Sequence, residues 1–252
     1  MGGAEVIQVR LGSIPWNAGH GMPAPGEWML TLAELKGWWE RVPDATETSP
    51  HWSGSGQTAS ATRQPGRQLI GEGMLLATTE EGPGSLRAAF DAIARISSTT
   101  LVVAEDDLVR TAEARITQVE STRISPLSAV ITINLTCDDP LRYSAESRRL
   151  ANGTVLLPNR GDVTAFPRIA LTGPHGAISI AHPGGTWTFP ALASGSRLVD
   201  FREQRVWNGN QRVFGAAAGS GPVPRVLPGG ASWTVSGLST GRAVLTRAEA
   251  WS

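Results

Sequence analysis

The chain has 252 residues, 40% of them hydrophobic, enough for two cored domains at about 100–200 residues each. Its 22 basic and 22 acidic residues cancel, which argues against a nucleic-acid binder with a basic face, and no apolar run approaches the ~20 residues of a membrane span. The single cysteine, Cys137, excludes an intrachain disulfide and a thiolate metal cluster. "MGGAEVIQVRLGS" carries no apolar stretch of the secretion-signal kind, so a soluble protein made in a cytoplasm is expected. With 29 glycines and 17 prolines the composition favours many turns and short strands.

Along the chain, residues 5–11 ("EVIQVRL") and 27–32 ("EWMLTL") read as strands, and the glycine- and proline-rich stretch between them reads as a loop. "LKGWWERVP" follows. On a strand Trp38 and Trp39 would face opposite sides, one entering the core and one meeting solvent or a partner; both packing at a core edge is the alternative. Residues 43–66 are rich in Ser, Thr, Gly and Pro and almost free of aliphatic residues. A connection of this length without its own structure is a functional arm or disordered, and Trp52 favours an arm that docks.

"RQLIGEGMLLATT" returns to strand character. "GSLRAAFDAIARIS" predicts a helix capped by Ser85, with Leu86, Ala89, Phe90, Ile93 and Ile96 on one stripe that would lie across a sheet face. In "AVITINLTC" the alternation sends Ile131, Ile133 and Leu135 one way and Val130 and Thr132 the other. A polar stretch after "DDPLRYS" places a domain boundary near 150, giving domains 1–149 and 150–252. The second half repeats short strands every 8–15 residues with turn signals between, the pattern of a sandwich or barrel. In "RVWNGNQRVF" a four-residue loop "NGNQ" would set Val206 opposite Val213 and Trp207 opposite Arg212, the latter as a cation–π pair.

Signs of chemistry are weak. Residues 237–241 match G-x-S-x-G, but no histidine follows, and the glycines make a turn more simply. His175 and His182 lack a neighbouring carboxylate or cysteine and read as exposed loop histidines. Glu105-Asp106-Asp107 and Asp138-Asp139 read as solvated turns. Gly71-Glu72-Gly73 lacks the third glycine of a dinucleotide fingerprint. The nine tryptophans raise sugar stacking, for which Trp187 and Trp207 are the candidates; core and interface packing explains most of them. No catalytic, cofactor-binding or metal-binding residue is assigned, and the chain does not read as an enzyme.

With the second half laid out, "GDVTAFPRIALTGP", "RLVDF", "WNGNQ" and "RVLPGGASWTV" resemble the C-terminal domain of siphophage distal tail (Dit) proteins. The matching positions are Gly161, Pro167, Ile169, Gly173, Leu198, Asp200, Gly209, Leu227, Pro228 and Gly229, with "RAEAW" near the end. "LKGWW", "GRQLIGEG", the helix and "LTCDDPLRYS" fall in the order of that family's N-terminal belt domain. The 43–66 loop is longer than the family's minimal pattern. The resemblance implies a mainly β protein: a barrel-like belt domain with one helix, then a galectin-like β-sandwich. It further implies a hexameric ring at the virion tail tip that joins the tail tube to the hub and tape-measure apparatus and leaves a passage for DNA. Trp38, Trp39, Trp52 and Arg67 are the candidate subunit-interface residues. Pro167, Ile169, Leu171, Gly173, Asp200, Gly209, Pro228 and Gly229 are turn or core positions. The alternative is a carbohydrate-binding module or a host-receptor-binding tail protein.

Overall fold

The structure is a computed structural model that describes residues 8–17, 22–42, 45–50, 57–63, 65–105, 108–214, 218–220, 222–238 and 242–252. The chain divides into two compact units, residues 1–141 and 142–252.

The first unit contains β1 (Gln8–Leu11), β2 (Ile14–Asn17), β3 (Trp28–Lys36), β4 (Ala45–Pro50), β5 (Gln57–Arg63), β6 (Arg67–Ala77), helix α1 (Leu86–Ala94), β7 (Ser98–Glu105), β8 (Leu108–Ser125) and β9 (Ser128–Cys137). Seven of these strands pair in the order β8-β7-β1-β2-β3-β6-β9, and a further β8–β9 ladder closes the ring into a barrel. Closure depends on the 18 residues of β8: its first part pairs with β7 from Ser98↔Arg115 to Glu105↔Leu108, and its second part pairs with β9 from Arg115↔Thr136 to Ser125↔Ser128. The barrel is mixed, because β2 and β3 run parallel while the other neighbours are antiparallel.

Period-2 patterning fills the interior. On β9 the side chains of Ala129, Ile131, Ile133, Leu135 and Cys137 are buried, while Val130 is exposed and Thr132 half-buried, as the alternation predicts. Leu69 and Leu75 of β6, Leu101 and Val103 of β7, and Ala112 and Ala114 of β8 join the same cluster. The helix forms where expected. The Ser85 hydroxyl accepts from the Ala88 N–H, and Ala89 and Ile93 pack into the barrel's apolar cluster.

Two segments differ from expectation. The stretch after β1 holds β2, whose Trp16 is fully buried and donates from Nε1 to the Thr31 carbonyl at 3.0 Å. Room for that indole comes from β6: a Cβ on Gly71 would lie 1.8 Å from Trp16 Cη2, and one on Gly73 would lie 1.8 Å from the Thr31 carbonyl oxygen. This is why Gly-x-Gly stands inside a strand. The 43–66 connection is not structureless either, since β4 and β5 form an antiparallel ladder from Ala45↔Arg63 to Pro50↔Gln57. Trp52 lies outside the described residues.

The second unit contains β10 (Arg142–Ser144), β11 (Ser147–Leu150), β12 (Gly153–Leu157), β13 (Arg168–Thr172), β14 (Ile178–His182), β15 (Gly185–Phe189), β16 (Ser196–Asp200), β17 (Arg205–Asn208), β18 (Gln211–Arg212), β19 (Ala218–Ser220), β20 (Ala231–Ser236), β21 (Arg242–Thr246) and β22 (Ala250–Trp251). One antiparallel sheet has the order β11-β21-β13-β16-β17-β18 and a second β12-β20-β14-β15-β19, while β10 pairs with β22. Phe201, just past β16 of the first sheet, meets Trp233 and Phe189 of the second at ring-centroid distances of 6.0 and 6.3 Å. Ile169 and Leu171 of β13 are buried as well. This is a sandwich core. The β17–β18 hairpin keeps the expected Trp207↔Arg212 pair and a Val213 N–H to Val206 carbonyl bond, and Asn208↔Gln211 tightens its turn to Gly209-Asn210. The cation–π expectation fails there, because the Arg212 guanidinium stacks on Phe214, 4.7 Å from its ring centroid.

Candidate functional site

Trp38 and Trp39 sit in the turn that follows β3 rather than on a strand, yet they divide as a strand pair would. Trp38 is fully buried in the barrel cluster and Trp39 is 44% exposed. The turn is gripped by Arg67, the first residue of β6. Its Nη1 donates to the carbonyls of Gly37 at 2.6 Å, Trp38 at 3.2 Å and Glu40 at 2.6 Å, and its Nε donates to the Pro140 carbonyl at 3.0 Å. Arg67 is 2% exposed, and burial pushes its pKa down. It is therefore a fold-holding residue, placing Trp39 rather than meeting solvent itself. Gly37 supports the same turn with φ +84°, and a Cβ there would lie 2.2 Å from the Gln68 carbonyl oxygen.

The Trp39 indole is itself held. Its Nε1 donates to Glu105 Oε1, and the other oxygen of that carboxylate pairs with Arg110 Nη2 at 2.9 Å. Glu105 is thus buried in an ion pair, a correction to its reading as part of a solvated turn; Asp106 and Asp107 lie outside the described residues. The result is an aromatic face presented to solvent with its one polar atom already satisfied. Beside Arg67, burial pushes the Cys137 thiol up to about 11, which makes it an inert core residue.

At the other end of β3 a cleft of about 580 Å³ opens, lined among others by Ile14, Pro15, Pro23, Trp28, Met29 and Pro83. It lies where β2 and β3 are not yet paired, since their ladder begins at Trp16↔Leu30. Ser13 and Glu27 contribute the polar side chains of its lining.

In the second unit the resemblance-derived positions fall at turns, strand ends and core. Gly209 and Gly229 have φ +57° and +88°, and the Gly229 N–H donates to the Asn159 carbonyl at 2.9 Å. Pro228 stands beside Gly229 on the surface, and Pro167 is buried. Gly173 precedes Pro174 through a cis peptide. The Asp200 carboxylate pairs with Arg168 Nε at 2.5 Å and accepts from the backbone N–H groups of Arg202 and Glu203. Two residues that sequence reasoning passed over organise this unit. Buried Asn159 donates to the carbonyls of Val163 and Val226 and accepts from the N–H groups of Gly161 and Ala250. Buried Glu249 takes a two-point ion pair from Arg160, at 2.8 and 2.9 Å.

The histidines need correcting. His175 and His182 are 5% and 9% exposed, so they belong to the interior rather than to open loops. No cluster of three or more potential metal ligands occurs among the described residues; His20 and His51 lie outside them, as does Ser239 of the G-x-S-x-G match. The sugar candidates sit apart. Trp187 belongs to β15 of the five-stranded sheet, with Gly219 against its ring and its Nε1 donating to the Pro222 carbonyl. Trp207 belongs to β17 of the six-stranded sheet, opposite Leu198. They do not share a stacking face. Among the described residues no helix is long and apolar enough to cross a membrane.

No protein-family model matches the sequence, and no curated protein does. Solved structures do match. The Dit protein of phage SPP1, described as a paradigm of the hub adsorption apparatus in phages infecting Gram-positive hosts, is 13% identical. The alignment covers 96% of this chain and 99% of that one with a TM-score of 0.56. Two structures of the phage P2 baseplate in its activated conformation, with Ca and with Sr, contain chains 11% and 10% identical. Each alignment covers 96% of this chain and 98% of the other, with a TM-score of 0.53. From its barrel with one helix to its two-sheet sandwich, this chain has the fold of the phage SPP1 Dit protein.

Proposed function

We propose that this protein is a structural component of a phage tail tip, a distal tail protein without catalytic activity. Six copies close a ring that connects the tail tube to the hub, next to the tape-measure apparatus, and leave a passage for DNA. The observation that carries this reading is the alignment of both units, in order and over 96% of the chain, with the SPP1 hub protein. Residue chemistry is consistent with it: the buried charged groups described above serve packing and ion pairing within the fold. The ring-forming role falls to the barrel unit, and Trp39, held out by Arg67 and Glu105, is its candidate contact. Trp52 is a second candidate on the 43–66 arm.

Sedimentation and negative-stain electron microscopy of the purified chain test the proposal, with a closed six-fold particle expected. A protein that stays monomeric at high concentration, and that is absent from the tips of assembled tails, would overturn it.

A further inference from the structure

We infer that Trp39 of one copy inserts into the cleft between β2 and β3 of the next, so that ring closure is a knob-and-hole contact between opposite ends of β3. The inference rests on the ring reading and names the contact that reading leaves open.

Three observations carry it. The knob is preorganised: a half-exposed indole on a turn fixed by Arg67, its Nε1 already bonded to a buried, ion-paired Glu105. Burying such a ring loses little conformational entropy and strands no polar atom. The hole suits it: a cleft of about 580 Å³, walled by Ile14, Pro15, Pro23, Trp28, Met29 and Pro83, lies within the roughly 300–1,000 Å³ of ligand pockets. Aromatic anchors in such pockets are the usual centres of interface energy. An opposite-charge pair is available across the contact, with exposed Glu40 standing between the knob and its Arg41. Arg41 is exposed two residues after the knob, and Glu27 is exposed on the rim of the hole. Neither has an ion-pair partner among the described residues, so each can meet the other across the contact.

Geometry adds a constraint. Trp28 and Lys36 begin and end β3, so hole and knob lie roughly 25–30 Å apart on one unit. They are different patches, and a contact between them is heterologous. Repeated, it closes a ring when the rotation between copies permits and otherwise runs on as a filament.

Because such a contact has two unlike sides, two crippled variants can complement each other. Trp39→Ala removes the knob, and Ala24→Trp fills the hole. Sedimentation velocity of each alone is expected to give monomers, the dissociation constant rising about 30-fold or more, as for a hot-spot aromatic. Mixed, the two retain one intact knob and one intact hole and should form a 1:1 heterodimer that grows no further. Circular dichroism melts establish that each variant is folded. Should Trp39→Ala fail to fold, Arg41→Glu and Glu27→Arg provide the second route: each alone weakens assembly, and both in one chain restore it.

Wild-type rings accompanied by unchanged assembly of folded Trp39→Ala would overturn the knob while the ring reading stands. So would a mixture that remains monomeric, or a double charge reversal that restores nothing. A wild-type chain that never assembles would instead remove the ring reading, and this contact with it.

Discussion

In the barrel unit the tightest constraints are steric, with Trp16 lying against Gly71 and Gly73 where no Cβ fits. The sandwich unit has steric constraints as tight, a Cβ on Gly161 lying 1.7 Å from the Ala250 carbonyl oxygen, and adds many buried polar groups to them. Among the described residues the buried polar or charged groups of the barrel unit are Arg67, Ser85 and Glu105, against Arg142, Ser144, Asn159, His175, His182, Asp200, Glu249 and Ser252 in the other. Closure explains the difference. A barrel has no open sheet edge, so its ladders satisfy most backbone groups, and what remains is to fill the interior. The sandwich threads irregular segments such as 158–167 past its strands, and their backbone groups need side-chain partners. Asn159 provides four such bonds, and Asp162 accepts from both the N–H and the hydroxyl of Ser252. Steric fit therefore constrains both units, and side-chain hydrogen bonding to buried backbone groups is added mainly in the sandwich.

Gly71→Val should produce the largest effect. A side chain whose Cβ alone would stand 1.8 Å from the Trp16 ring must displace a fully buried indole. The expected loss is about 4 kcal/mol, above the 1–3 kcal/mol typical of overpacking, because the clash is with a ring held by its bond to Thr31. Amide exchange should accelerate across the barrel strands. Trp16→Leu in the same background should return part of the loss by vacating the space. A Gly71→Val protein within about 1 kcal/mol of wild type would show that the barrel is not governed by this fit.

Asn159→Leu comes next and probes the other side of the comparison. The substitution keeps volume but strips partners from two buried N–H groups and two carbonyls. At about 1–3 kcal/mol for an unsatisfied buried group, and with some relaxation, a loss of about 3 kcal/mol is expected. Exchange should rise at Gly161, Val226 and Ala250, with little change on β6 and β9. Chemical denaturation followed by exchange mass spectrometry separates the two units. Equal loosening of both would erase the contrast between them.

How far the sequence disclosed this arrangement depended on whether the signal was local. Alternation on β9, the stripe and cap of α1, and the Trp207↔Arg212 hairpin register were legible because each is written within about a dozen residues. β2 was hidden by Pro15 and its glycine-rich surroundings. Only its packing across Gly71 and Gly73, over 50 residues on, explains both the strand and the glycines. The β4–β5 ladder was hidden by a Ser/Thr/Gly composition with no aliphatic alternation. Asn159 could not have been found, since its partners at 226 and 250 are brought to it only by the fold. Trp38 and Trp39 divide into one buried and one exposed ring, one of the two readings their sequence left open, but in a turn rather than on a strand. Arg67 stood among the interface candidates and Glu105 in an acidic turn, but their hold on the Trp39 turn could not be read because they are far from it in sequence.

The smallest expected effect is a pH dependence confined to the sandwich. Burial lowers the pKa of His182 below its ordinary value of 6.5, and the nearby Arg225 charge lowers it further. Its Nδ1 accepts from the Gly184 N–H at 3.2 Å, an interaction available only to the neutral ring, and its Nε2 is enclosed beside Trp233. The unfolded chain therefore takes up a proton as pH falls through 6.5 while the folded chain resists it. Stability is lost progressively from there down to the folded value and changes no further below it. His182→Asn leaves an oxygen to accept from Gly184 and removes the titration. Urea midpoints measured between about pH 7.5 and about pH 5.5 should fall less steeply for this variant than for wild type. Parallel slopes would mean that the His182 ring reaches solvent when it is protonated. In that case the polar interior of the sandwich would be less tightly closed than the steric interior of the barrel.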